Sequence, residues 1–294
     1  MPAEPKLSQN AMDAIDNIEW TEENDCLVKY DLPYGDHERQ ILDLWLPKNA
    51  SGDLGLFLYI HGGAWVAGDK CTHWDRAFCS TGKWGYVSAS MNYHFISDTT
   101  DCFTILDDIT LAMQAVKLVC EAHGIHLTKS LLTGGSAGGH LSLQYGYTRY
   151  DEAPVTPGCV VSYCGPSDVS DSVFLMDNLI GDEDDRDAMF RIVSRLCGRR
   201  FTKDTIESAR AELDAVSPIN FVNENTVPTI MAHGLIDNVV PYDGVVKLNE
   251  KLARYGVRHH LVPYPNSGHD LSRDPAQTDE TERLMKMYAK EYLR

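Results

Sequence analysis

The chain has 294 residues, with 43 acidic side chains against 26 basic ones and a formal net charge of −17. That balance argues against nucleic acid and against an anionic membrane surface as partners, because phosphate contacts need a basic footprint. An apolar share of 43% excludes a disordered chain and supplies a large core. The length suits one large α/β domain or two small ones.

The longest strongly apolar stretch, Leu54–Ile60, is far short of the ~20 residues a bilayer crossing needs. The first twenty residues lack the basic n-region and apolar h-region of a signal peptide. None of the eight cysteines forms a CxxC pair, so reduced, buried thiols and a cytoplasmic protein are expected.

Residues 1–24 read as a polar surface arm that docks through Leu7, Met12, Ile15 and Ile18. Two strand-like runs follow, Cys26–Tyr30 and Gln40–Leu46, joined by a PYGD turn as a hairpin. Gly55–Ile60 and Tyr86–Met91 are continuous apolar runs, the mark of strands buried on both faces. Ile105, Ile109, Ala112, Val116 and Val119 set a helical period over 102–122. Ser130–Thr133 is a short strand, and a helix runs from Ala137 to about Tyr147. Three more strands follow at Cys159–Tyr163, Thr229–Ala232 and His259–Tyr264. Asp243 is placed to cap a helix between the last two, and Asp274-Pro275 to start a final one.

Alternating strands and helices after an opening hairpin define an α/β fold with a mostly parallel central sheet and helices on both faces. The chain is expected to be a single domain over 1–294. The exception to the alternation is 165–220, too long for an ordinary connection and read as a small helical cap.

Gly134-Gly135-Ser136-Ala137-Gly138 matches GxSxG, with a strand running in and a helix running out. The turn is so tight that its flanking side chains must be small, and Ser136 is the candidate nucleophile. A serine needs a base and an orienting acid, which this architecture supplies in the order acid then histidine, each just past a later strand. Asp237 follows the strand PTIMA and His269 follows HHLVPY. Asp243 looks more like a helix cap, and Asp270 adjoins the histidine itself. His140 falls inside the helix after Ser136 and is expected to be packed and satisfied, while His61 and His233 end strands and brace loops.

His61-Gly62-Gly63-Ala64-Trp65 follows another strand, and its glycines let backbone N–H groups turn toward a developing oxyanion. The expected donors are the N–H groups of Gly63, Ala64 and Ala137, with Trp65 packing beneath the loop. No metal is expected. Cys120, His123 and His126 lack the further ligand a closed site needs, and the acids at 182–185 lack the alternating spacing of a calcium loop.

HGGAW, GGSAGGHLS, HGLIDNVVP and SGHD together resemble the α/β-hydrolase superfamily. The likeness is to its carboxylesterase branch of hormone-sensitive-lipase-like and bacterial acetyl and feruloyl esterases, over about residues 25–294. The resemblance implies Ser136 as nucleophile, Asp237 as acid and His269 as base, with no cofactor. Two departures stand out. HGGAW replaces HGGG, as in the branch that includes kynurenine formamidases. Tyr93-His94-Phe95 stands where relatives often carry a Tyr-Arg pair, so a local salt bridge is expected to be missing.

The expected function is hydrolysis of a small-molecule ester, short-acyl or small aryl and including acetylated sugars, by a monomer or homodimer. The alternatives are an amidase of the kynurenine formamidase kind and a non-catalytic binding module on the same fold. Eight acids against one base between Asp168 and Asp187 read first as a solvated surface that aids solubility, with a cap field that disfavours anionic substrates as the sharper alternative.

Overall fold

The computed structural model describes residues 5–171, 174–175 and 183–294. Asp177 and Asp182 of the acidic window lie outside them. A nine-stranded sheet in the order β1-β2-β3-β5-β4-β6-β7-β8-β9 organises the chain. β1 (Thr21–Glu23), β2 (Cys26–Pro33) and β3 (Ile41–Pro47) are antiparallel to their neighbours. β5 (Val87–Met91), β4 (Gly52–Ile60), β6 (Ile125–Gly135), β7 (Pro157–Tyr163), β8 (Thr229–Gly234) and β9 (His259–Tyr264) run parallel.

The apolar runs are strands because both of their faces are covered. In β4, Leu56, Leu58 and Ile60 enter one core, while Phe57 and Tyr59 enter a second on the opposite face. The first core is closed by α1 (Gln9–Asp16), α3 (Cys102–Ala122), α4 (Ala137–Thr148) and α7 (Tyr242–Arg254). The second is closed by α2 (Trp74–Phe78) and α8 (Pro275–Tyr292). In α3 the five periodic positions Ile105, Ile109, Ala112, Val116 and Val119 are all buried, and Asp101 caps the helix by accepting from the Thr104 N–H at 3.0 Å. Within 165–220 the described helices are α5 (Glu183–Leu196) and α6 (Arg210–Ala215), with 3₁₀ turns at Lys203–Ala209 and Pro218–Phe221. No helix of the described residues is long and apolar enough to cross a membrane.

Four details differ from expectation. β6 spans Ile125–Gly135 rather than four residues; its polar first half and a register irregularity against β4 hide the alternation. The end of the N-terminal arm adds the edge strand β1. Asp243 lies inside the first turn of α7, behind Pro241 at the cap position, where its charge still suits the helix dipole. α8 does begin at Pro275, but Asp274 makes no side-chain cap bond and is turned to another task described below.

All eight cysteines are free, and six of them are buried.

Candidate active site

Ser136 sits between β6 and α4 at φ 54°, ψ −122°, a backbone state that costs a non-glycine residue of order 1–3 kcal/mol. The strain is held by packing. Its N–H donates to the Tyr163 carbonyl at 2.7 Å, and its carbonyl accepts the His140 N–H at 3.0 Å. The small residues around it are obligatory: a Cβ on Gly134 or Gly138 would lie 2.2 or 2.0 Å from the Ile60 carbonyl oxygen. The turn therefore presses directly on the end of β4, and the Ala137 N–H, at the first position of α4, has no intrahelical acceptor.

Parallel register brings the other chemistry to the same edge. β8 and β9 end side by side, with Gly234 opposite Tyr264. The loop after β8 is tied to the loop after β9 by Leu235 N–H to Tyr264 C=O at 3.0 Å and Ile236 N–H to Ser267 C=O at 3.3 Å. Across this seam His269 Nδ1 lies 2.8 Å from Asp237 Oδ2. A carboxylate only accepts, so Nδ1 carries the proton and Nε2 is left as the basic nitrogen. The other oxygen of Asp237 accepts the N–H groups of Val239 at 2.8 Å and Val240 at 2.9 Å. Burial alone would raise this carboxyl. Hydrogen bonds from His233 and His269 and from the Val240 N–H outweigh it and hold the pKa well below the usual carboxylate range. Asp237 is buried at 8% exposure, while a quarter of the His269 side chain remains open to solvent.

The loop after β4 is built for backbone donors. Gly63, Ala64 and Trp65 have φ of 112°, 49° and 59° in succession. The Gly63 carbonyl closes the loop on itself by accepting the N–H groups of Val66 and Ala67. No hydrogen bond to another described residue occupies the N–H of Gly63 or of Ala64. Trp65 packs beneath the loop as expected, its Nε1–H donating to His140 Nδ1 at 3.2 Å. His140 is fully buried, and its Nε2 donates to the Val216 carbonyl at 2.8 Å. It is a satisfied core residue. Its imidazole is pushed down to about 4 by burial and stays neutral. His233 braces the acid loop through the Val240 carbonyl at 2.8 Å, with Asp237 Oδ2 at 3.4 Å from the same nitrogen.

Three supporting residues escaped the sequence reading. Asp274 accepts from the Asn266 N–H and side-chain amide and from the Ser267 hydroxyl, at 3.0, 2.8 and 2.5 Å, and so fixes the loop that carries His269. Lys70, just past the HGGAW loop, is buried against the buried Asp43 at 2.9 Å and reaches the exposed Asp31 at 2.8 Å. Arg39, in the turn between β2 and β3, contacts Tyr93, His61 and Gly68 and stacks on Phe95 at 3.7 Å. A guanidinium thus reaches the neighbourhood of Tyr93 from elsewhere in the chain, while His94 pairs with Asp108 at 2.8 Å. Loop residues with polar side chains give no periodic signal, and the partners of Lys70 and Arg39 are tens of residues away.

A cavity of about 360 Å³ opens next to the His269 loop. Its walls include Asp270, Leu271, Tyr163, Trp84 and Glu282, with Arg76 lying 4.5 Å over the Tyr163 ring. It is walled by α2, α8 and strand ends rather than by residues 165–220.

One cluster has the donor set of a metal site. Ligand atoms of Cys164, His233 and Asp237 lie within 4.8 Å of one another. The donors do not fit an ion. His233 Nε2 is engaged with the Val240 carbonyl, Asp237 is engaged by four donors, and burial pushes the Cys164 thiol far up, against the thiolate a metal requires.

A strained serine on a strand-to-helix turn, with an aspartate–histidine pair at later strand ends of a mostly parallel sheet, defines an α/β-hydrolase fold. The solved structure "Truncated form of carbohydrate esterase from gut microbiota" superposes with a TM-score of 0.71 at 21% identity, over 92% of this chain and 99% of that one. More particularly, residues 42–252 match the BD-FAE family model, and the chain belongs to that family. Among curated relatives, the probable carboxylic ester hydrolase LipM of Mycobacterium tuberculosis is 25% identical over 82% of this chain. This chain spans 56% of LipM's length. Kynurenine formamidase of Danio rerio is 31% identical over 44% of this chain and 43% of its own.

Proposed function

We propose that this chain is a serine carboxylesterase acting by two-step acyl transfer. The observation that carries the reading is the 2.8 Å His269–Asp237 hydrogen bond at the sheet edge that also holds the strained Ser136. His269 Nε2 takes the Ser136 proton as the hydroxyl oxygen attacks the ester carbonyl carbon. The oxyanion accepts from the N–H groups of Gly63, Ala64 and Ala137. Collapse expels the alcohol, which takes its proton from His269, and water then repeats the sequence on the acyl-enzyme. Asp237 holds the tautomer and stabilises the imidazolium; no metal or organic cofactor enters.

The substrate in this reading is a small-molecule ester with a short acyl or aryl group. The helical part of 165–220 serves as a cap over a single domain. The free cysteines fit a reducing, cytoplasmic setting. A second reading, amide hydrolysis, is favoured by the HGGAW loop and the partial likeness to kynurenine formamidase. Rates on p-nitrophenyl esters of increasing chain length, acetylated xylan oligomers, methyl ferulate and N-formylkynurenine separate the two. Preference for short esters supports the esterase. Preference for the formamide by an order of magnitude replaces it with the amidase.

A further inference from the structure

Arg39 is a residue of the β2–β3 turn, distant in sequence from every group placed above in the chemistry. It is half-buried and packs its guanidinium over Phe95. Its Nε–H donates to the Tyr93 carbonyl at 2.8 Å, and Nη2 lies 3.1 Å from both the Gly68 carbonyl and His61 Nε2.

A guanidinium can only donate, so His61 Nε2 must accept. The neutral ring then has its proton on Nδ1. Nδ1 lies 2.7 Å from the carbonyl oxygen of Gly62, which can only accept. Both contacts demand the same tautomer. The ring is also held from its other side: it stacks on Tyr93 at 4.2 Å, and the Tyr93 hydroxyl donates to the His61 carbonyl at 2.8 Å. Burial lowers the imidazole to about 4, and the Arg39 charge adds to the effect, so it stays neutral.

The consequence passes through one peptide plane. The Gly62 carbonyl and the Gly63 N–H belong to the same trans peptide and point in opposite directions. A carbonyl held toward the His61 ring turns the Gly63 N–H away from it. Gly63 N–H is a donor in the oxyanion reading, and two glycines side by side leave this plane free to rotate unless something holds it.

We propose that Arg39 is a positioning residue for the oxyanion site: by donating to His61 Nε2 it selects the Nδ1–H tautomer, which holds the Gly62 carbonyl and so aims the Gly63 N–H. This rests on the serine-esterase reading above.

The test compares wild type with Arg39→Met, Arg39→Lys and His61→Gln on p-nitrophenyl acetate, with a fluorophosphonate probe run alongside. Arg39→Met should lose about 10–100-fold in kcat, with KM changed less than about twofold, because the lost contact acts on the transition state. Arg39→Lys keeps a donor for Nε2 and should recover part of that loss, and guanidinium ion should partly rescue Arg39→Met. Ring-¹⁵N spectra, assigned with His61→Gln, should show the Nδ1–H tautomer at His61 in wild type and a mixture in Arg39→Met. Should Arg39→Met fail to fold, Arg39→Lys and the wild-type spectrum carry the test. An unchanged kcat in Arg39→Met, or an Nε2–H tautomer in wild type, overturns the proposal. Wild-type protein that neither hydrolyses the ester nor labels with the probe overturns the esterase reading instead.

Discussion

Gly234 and Gly268 touch where the acid loop meets the base loop: a Cβ on Gly234 would lie 2.3 Å from the Gly268 carbonyl oxygen and 2.4 Å from that of Ser267. Carbon and oxygen cannot approach so closely, so Gly234→Ala must drive the two loops apart. The His269–Asp237 bond spans that seam at 2.8 Å. A displacement of about 1 Å in such a constellation costs about 10² in rate. Steady-state kinetics of Gly234→Ala, on protein shown folded by circular dichroism, should show that loss mainly in kcat.

Asp237→Asn isolates the acid. The amide cannot hold His269 in the Nδ1–H tautomer as the carboxylate does, and kcat should fall about 10⁴-fold with the fold intact. Since its neighbours hold the Asp237 carboxyl well below the usual range, the carboxylate stays ionised through mildly acid pH. The acid limb of a pH–rate profile therefore does not report Asp237.

Asp274→Ala should lower both activity and Tm. It removes the acceptor of the Asn266 N–H and amide and of the Ser267 hydroxyl, which is fully buried. The loop that slackens carries His269, so about a tenfold drop in kcat should accompany the drop in Tm. A change in Tm with unaltered kcat would make Asp274 a purely structural anchor.

Stability should fall with acid earlier than carboxylate protonation alone requires. His61, His73 and His140 are each lowered by burial from the ordinary 6.5 to about 4. Between these values the unfolded chain binds protons that the folded chain refuses, so the unfolded state gains as pH drops. The stabilisation is complete above pH 6.5 and is lost progressively toward pH 4, on the order of 3 kcal/mol for each residue at the limit. Urea unfolding at pH 7.5, 6 and 5 measures the slope. A flat profile would mean that these rings are protonated in the folded protein.

The fold and the chemistry-bearing positions were legible in the sequence for one reason. Four of the parallel strands carry a run of apolar residues that gives way to reactive or glycine-rich ones: Ile60 before His61, Thr133 before GGSAGG, Ala232 before His233, Tyr264 before the His269 loop. In a parallel sheet those endings share one edge, so order along the chain becomes proximity in space. What holds the loops was not legible. Arg39 and Asp274 act across loops through single polar contacts, and neither falls on a periodic pattern. Asp274 even carries the local signature of a helix cap. Tertiary contact with Asn266 and Ser267 claimed its carboxylate, and Pro275, which lacks an N–H, started the helix without it.

Ser136 is where the account can be struck most directly. Intact-mass analysis after treatment with a fluorophosphonate, together with p-nitrophenyl acetate turnover, should be run on wild type and Ser136→Ala. A single adduct on Ser136 in wild type, with no adduct and turnover lowered by at least about 10³ in Ser136→Ala, is the predicted result. Turnover in Ser136→Ala equal to wild type would contradict it.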